Sequence, residues 1–398
     1  MAPSTERDFD LVVFGATGFT GALTAEYLAR NRPDGLRWAL AGRSLAKLEK
    51  ARDHLALIDP TLADLELLIA DVGDPAGLAD VAARSRVVIT TVGPYLAYGE
   101  PLVAACAEAG TDYVDLTGEP EFVDRMYLAH HATAERNGAR IVHACGFDSI
   151  PHDLGAYYTV QHLGASGPVT VRGVVRAAAM FSGGTFHSAL TQFSRARQMK
   201  AAVSERRRVE PKPEGGRSSR AVGGKPHRDS VLGYWLLPLP TIDPIIVARS
   251  GAALASYGPK FRYSHYAGTK TLRFAAGGAI GVSAMAIAAQ VKPVRNLLLG
   301  RIKQGEGPDE AKREKSWFRV DFVGEAANES GERRTVHTRV SGGDPGYTET
   351  AKMLAESALC LAFDANPPCA GQVTTAQAMG DNLIGRLQKA GIRFEVMG

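Results

Sequence analysis

The sequence predicts an α/β protein: an N-terminal doubly wound parallel sheet, followed by a second α+β domain containing a largely antiparallel sheet. Three observations predict it. Apolar β-rich runs alternate with helix-like spacing through the first 145 residues, glycines punctuate the first strand-to-helix junction, and the alternation stops in a basic stretch beyond residue 200. At 398 residues, 45% hydrophobic and 22% charged, the chain has apolar material for two ordinary cores.

The first-domain strands are expected at Phe9 to Phe14, Leu36 to Ala41, Leu65 to Ala70, Arg86 to Val92, Tyr113 to Leu116 and Arg140 to Ala144, with a helical segment in each gap. Six parallel strands joined by crossovers place a ligand crevice at their carboxyl ends. The first junction reads LVVFGATGFTGALTAEYLARN, Leu11 to Asn31, with Gly15, Gly18 and Gly21 at three-residue spacing. Missing side chains there permit a tight turn, close approach of a pyrophosphate and close packing of helix on strand. Gly15, Ala16, Thr17, Gly18, Phe19, Thr20 and Gly21 are therefore the expected phosphate loop of a Rossmann domain over residues 1–150, with the helix N-terminus offering its free N–H groups.

The end of the second strand reads LAGRSLAKL. An NAD-specific site places a carboxylate here for the ribose hydroxyls; this chain places Arg43, Ser44 and Lys47, which suit the 2′-phosphate of NADPH. Basic residues at a helix start are electrostatically misplaced without an anion, although solvated side chains are the bland alternative. Asp71 and Val72, after strand three, are placed near the adenine, with a turn role for Asp71 as the rival reading. Thr91, Val92, Gly93 and Pro94, after strand four, are placed toward the nicotinamide.

The second domain is expected over 151–345, with strands at Trp317 to Gly324 and Arg334 to Ser341. A C-terminal segment, 346–398, carries helices near Thr348 to Phe363 and Thr375 to Lys389 and a strand at Arg393 to Val396, closing the structure. From Arg195 to Arg228 there are eleven Lys or Arg against three Asp or Glu, read as a solvated loop or as a surface for an anionic partner. Phe274 to Val291 is a charge-free run of eighteen, with Ile280, Ala284, Ile287 and Val291 on one helical face. Its length is at the bottom of the spanning range and Ala and Gly dominate it, which argues against a membrane span and leaves a buried helix, an acyl-chain tunnel or a membrane-surface contact. Three prolines within Val231 to Val247 exclude a continuous helix there.

A net charge of +4 is too slight to predict nucleic-acid binding. Four cysteines without CxxC spacing predict reduced thiols and no metal. Asp8 just ahead of the first strand and Asp10 at its start, with no basic n-region, predict no secretory leader and a cytoplasmic protein, peripheral at the inner membrane face if the apolar segments meet lipid.

The motifs GATGFTG, AGRS, TTVGPY, YVDLTGE and CGFDSIPHDLG resemble the saccharopine dehydrogenase-like oxidoreductase family. GEGPDEAKREKSWF and GGDPGYTETAKMLAESAL are similar to its branch of mycobacterial trans-acting enoyl reductases. The resemblance implies an NADP-linked reductase fold; with the apolar segments and the basic stretch, the expectation is an NADPH-dependent reductase of a carbon–carbon double bond in a hydrophobic acyl or polyketide-type substrate of lipid biosynthesis, a thioester on a carrier protein being one form of it. Tyr95, Tyr98, Asp148 and His152, on loops after strands four and six, are the candidate proton donors or oxyanion partners. Each has a structural rival: Tyr95 packing beside the cofactor, Asp148 capping the next helix, His152 exposed in its first turn. The pair Tyr266 and Lys270 has Tyr-x-x-x-Lys spacing but is set aside as chance, being far from the sheet. A non-catalytic NADP-binding, redox-sensing or lipid-associated protein and a saccharopine-like amino-acid dehydrogenase stay open as alternatives, as does a homo-oligomer.

Overall fold

A computed structural model of the chain describes residues 7–164, 166–178, 190–301, 308–327 and 333–397. Gly305 to Gly307, the head of one motif quoted above, lie outside these. The chain forms two compact units: residues 7–147 with 347–386, and the described part of 148–346 with 387–397. The segment 346–398 is thus divided between the two units.

The first unit is a seven-stranded sheet whose pairings are all parallel. Its strands are β1 (Phe9–Phe14), β2 (Trp38–Gly42), β3 (Glu66–Ile69), β4 (Ser85–Thr90), β5 (Asp112–Asp115), β6 (Arg140–Val142) and β14 (Gly371–Val373). Their order is β14-β6-β5-β4-β1-β2-β3, so the chain reverses direction across the sheet beside β1. Six strands answer the sequence expectation within a few residues; the seventh returns from late in the chain. Strand β1 is buried at every position, as a strand covered on both faces must be. Helices α1 (Phe19–Asn31), α2 (Leu45–Ile58) and Thr348–Phe363 pack together, as do α3 (Pro75–Arg84), α5 (Glu100–Ala109) and α6 (Pro120–Asn137). The short helix α4 (Tyr95–Tyr98) follows β4.

The second unit holds an eight-stranded sheet built from β7 (Val169–Ala178), β8 (Ser218–Ala221), β9 (His227–Arg228), β10 (Trp235–Pro238), β11 (Lys260–Thr269), β12 (Trp317–Ala327), β13 (Arg333–Gly342) and β15 (Arg393–Met397). The order is β15-β13-β12-β7-β11-β10-β9, antiparallel except where β7 and β8 pair with β11. Helix α7 (Ile150–Leu163) lies on β12 and β13. Gly155 makes this possible, because a Cβ there would stand 2.3 Å from Phe322 Cε2.

Several expectations change. The basic stretch opens as a helix, Ala196–Val209, with Arg206 buried, and continues into β8 and β9, so it is not simply a solvated loop. The late helix breaks at Gly380, where φ is +40°. The apolar run is a helix, Leu272–Gln290, but Phe274 is 75% and Ile287 68% exposed, which removes the close-packed buried reading for these side chains. Ala284 and Val291 are exposed too; the side chain of Ile280 lies outside the described set. No helix among the described residues is long and apolar enough to cross a membrane.

Candidate nucleotide site and a buried histidine cluster

Strand β1 needs an abrupt turn to start α1 at its carboxyl end. Gly15 supplies it with φ of +90°, a backbone that L side chains rarely adopt. The Gly15 N–H donates to the Ala41 carbonyl at 2.9 Å, and its carbonyl accepts from the Gly18 N–H at 3.0 Å. The three glycines are not equivalent. A Cβ on Gly15 would lie 2.7 Å from Val92 Cγ2, and one on Gly21 would lie 2.2 Å from the Gly15 carbonyl oxygen, so internal packing demands both. A Cβ on Gly18 would meet only that carbonyl, at 3.4 Å, close to ordinary contact. Nothing within the fold requires glycine at 18; the open space above exposed backbone at a helix start is a cradle of the kind a pyrophosphate fills.

Register brings the neighbouring loops alongside. Phe14 pairs with Ala41 and with Thr90, and Gly42 with Ile69, so the loops after β3, β2, β1 and β4 leave one edge of the sheet at successive strand spacings of about 4.8 Å. Arg43 and Lys47 are exposed, and among the described residues no carboxylate pairs with either. Ser44 occupies the N-cap of α2 without donating or accepting a capping bond, and neither α1 nor α2 has an acidic residue in its first turn. Two uncapped helix starts and two uncommitted cations are what a dinucleotide carrying a 2′-phosphate fits.

Ala16 is buried, Thr17 exposed, and Phe19 and Thr20 half-buried, with the Phe19 ring edge-on to Tyr347 at 4.9 Å. Asp71 Oδ1 accepts from the Gly73 N–H at 2.9 Å, which is the turn role, and Val72 packs half-buried on the core. Thr91 Oγ1 donates to the Gly15 carbonyl at 3.2 Å, fastening the β4 loop to the glycine turn. Val92 packs on the same core, and Gly93 is exposed and joined to Pro94 by a cis peptide bond.

The four catalytic candidates separate. Tyr95 is buried; its hydroxyl donates to the Thr90 carbonyl and accepts from the Leu116 N–H, both at 3.1 Å, which is the packing role. Tyr98, one helical turn later, is 46% exposed. Asp148 is half-buried at the start of the second unit, and Ser149 rather than Asp148 holds the N-cap of α7. His152 corrects the expectation of an exposed side chain: it is only 2% exposed.

His152 belongs to a cluster that the sequence did not announce. Its Nδ1 lies 2.7 Å from Asp243 Oδ1, and Asp243 Oδ2 lies 3.6 Å from His265 Nε2. The two imidazoles meet edge to face at 5.0 Å. All three residues are buried, on α7, at the start of the Asp243–Ala253 helix and in mid-β11. Burial pushes the His265 imidazole down to about 4, against the pull of Asp243, so it is neutral at pH 7. Burial works to raise the Asp243 carboxyl, but His152, and then His265, hold it below the usual carboxylate range. The one signal in sequence was the alternation of Phe261, Tyr263 and His265, which sets His265 on the face of two buried aromatics.

Residues 11–142 match the saccharopine dehydrogenase NADP binding domain. A putative trans-acting enoyl reductase of Mycobacterium tuberculosis is 39% identical, with 98% of each chain covered. The trans-acting enoyl reductase of Mycobacterium ulcerans is 36% identical over the same shares. Among solved structures, the apo saccharopine dehydrogenase (L-Glu forming) of Saccharomyces cerevisiae superposes with a TM-score of 0.56 over 98% of this chain and 100% of that one, at 13% identity, which shows a shared fold. The chain belongs to the saccharopine dehydrogenase-like family, in the group of the trans-acting enoyl reductases. It is an NADP-linked oxidoreductase.

Proposed function

We propose that the protein reduces the carbon–carbon double bond of a hydrophobic enoyl thioester with NADPH. The observation that carries this reading is the 36–39% identity, end to end, with relatives named trans-acting enoyl reductases, on a sheet edge suited to a dinucleotide 2′-phosphate. NADPH supplies the hydride, which adds at the β-carbon; a proton then adds at the α-carbon. Gly15 to Gly21 seat the pyrophosphate, Arg43, Ser44 and Lys47 the 2′-phosphate, and Thr91 to Pro94 flank the nicotinamide. Asp71 and Val72 border the adenine. Tyr98 is the proton donor among the candidates on this sheet edge, since the Tyr95 hydroxyl is already engaged.

The substrate arrives from outside, as the relatives' description as trans-acting suggests. Arg197, Lys200, Arg207, Arg208, Lys212 and Arg220 are exposed in the second unit and suit an acidic carrier protein. Exposed Phe274, Ile287 and Val291, beside exposed Arg273 and Lys292, suit peripheral contact with an anionic bilayer. The test is NADPH oxidation with a panel of enoyl thioesters. Sustained turnover with saturated thioester as product is expected. NADPH binding without turnover on any of them, or turnover only with amino-acid imines, overturns the assignment.

A further inference from the structure

We propose that His152, Asp243 and His265 form a binding site for one divalent transition-metal ion, zinc by the chemistry of the donor set, inside the second unit. This goes beyond the reductase reading and does not depend on it. Two imidazoles and one carboxylate are the donors of zinc sites with three protein ligands and an open fourth position. Each residue offers one ligand atom, and the three atoms lie within 4.8 Å of one another. Ligand atoms on one tetrahedral zinc, at bonds of about 2.0–2.1 Å, stand about 3.3 Å apart. Small side-chain rotations therefore separate the spacing seen here from a closed coordination sphere.

The geometry is more than an ion pair needs. His152 Nδ1 is within hydrogen-bond reach of Asp243 Oδ1, but Asp243 Oδ2 and His265 Nε2 face each other at 3.6 Å, beyond a hydrogen bond. One cation between them engages both. The His265 ring is fixed for this by its far side, where Nδ1 lies 3.0 Å from the hydroxyl of fully buried Tyr263. With Nε2 as ligand, Nδ1–H donates to that oxygen, the outer contact that orients metal-bound histidines. The supporting elements are tied together as well: Ser250, on the helix begun by Asp243, donates to Asp153, the neighbour of His152, at 2.5 Å. Ligation takes an unprotonated nitrogen from each imidazole and an ionised carboxylate, and involves no change of oxidation state. Cysteine spacing, from which no metal was expected, has no bearing on a nitrogen and oxygen site.

The test is direct metal analysis of the full-length protein, expressed and dialysed with zinc and then passed through a desalting column. About one zinc per chain is expected in the wild type, and a loss of most of it in His265→Gln and in Asp243→Asn, with wild-type circular dichroism and resistance to proteolysis of the second unit as the check that each variant is folded. X-ray absorption on the wild-type zinc protein covers variants that fail to fold; it is expected to show imidazole scattering in a shell of nitrogen and oxygen. A metal-free wild type, zinc retained equally in folded variants, or a sulfur shell each overturns the proposal.

Discussion

The two units gather polar groups by opposite means. In the first, the groups read as cofactor-binding are backbone atoms and short loops at the ends of adjacent strands, so each is local in sequence and the parallel register aligns them. In the second, His152, Asp243 and His265 come from a helix turn, a helix start and the middle of a strand, and only tertiary packing brings them within reach. A site made from the edge of a regular fold can be read from spacing. A site made from buried side chains cannot, because nothing in the one segment specifies its partner in another.

If the first unit supplies the proton as well as the cofactor, Tyr98→Phe should lower kcat by about 100- to 10,000-fold while leaving NADPH affinity unchanged. Steady-state rates and cofactor titration check it; an unaltered kcat would return Tyr98 to the solvated surface. Gly21→Ala and Gly18→Ala should split packing from binding. The first drives a Cβ into the Gly15 carbonyl and should cost about 1–3 kcal/mol in urea unfolding, with cofactor binding lost alongside. The second should stay within about 0.5 kcal/mol of wild type yet weaken NADPH about tenfold, since it fills the cradle and not the fold. Equal destabilisation by the two would erase the distinction drawn between these glycines.

The smallest effect concerns the second unit. Exposed Phe274 and Ile287 with Arg273 and Lys292 should let the protein co-sediment with anionic vesicles and release at high salt, each basic side chain contributing about 1 kcal/mol. Equal recovery in the supernatant with and without vesicles would leave those side chains without a lipid partner.

Legibility followed the same divide. Strands β1, β2 and β4 were readable because parallel strands covered on both faces are near-continuous apolar runs, and the Thr348–Phe363 helix was readable from its spacing. Strand β14 was not: GQV is three residues long, and its place beside β6 is set by the Ala139 carbonyl accepting from the Gly371 N–H and by register. Strands β7 and β11 carry arginines and a histidine among their apolar residues, which blurred the pattern of the sheet centre. The helix in the basic stretch was hidden by charge, although Ala202 and buried Arg206, four residues apart, mark its inward face. The loop position of Tyr95 leaves a reactive and a packing role equally open in sequence; the hydroxyl partners that decide for packing, Thr90 and Leu116, are assembled only by the sheet.

The most direct test of the cofactor edge is calorimetric titration of NADPH and NADH into wild type and Arg43→Ala. The guanidinium should contribute about 1.5–3 kcal/mol through a charge-assisted bond to the 2′-phosphate, about 10- to 150-fold in affinity, with Ser44 and Lys47 retaining part of the preference. Wild type should prefer NADPH, and the variant should lose affinity for NADPH while binding NADH as before. Equal losses for the two cofactors would show that Arg43 serves the fold, and a wild type that prefers NADH would contradict the reading of this edge altogether.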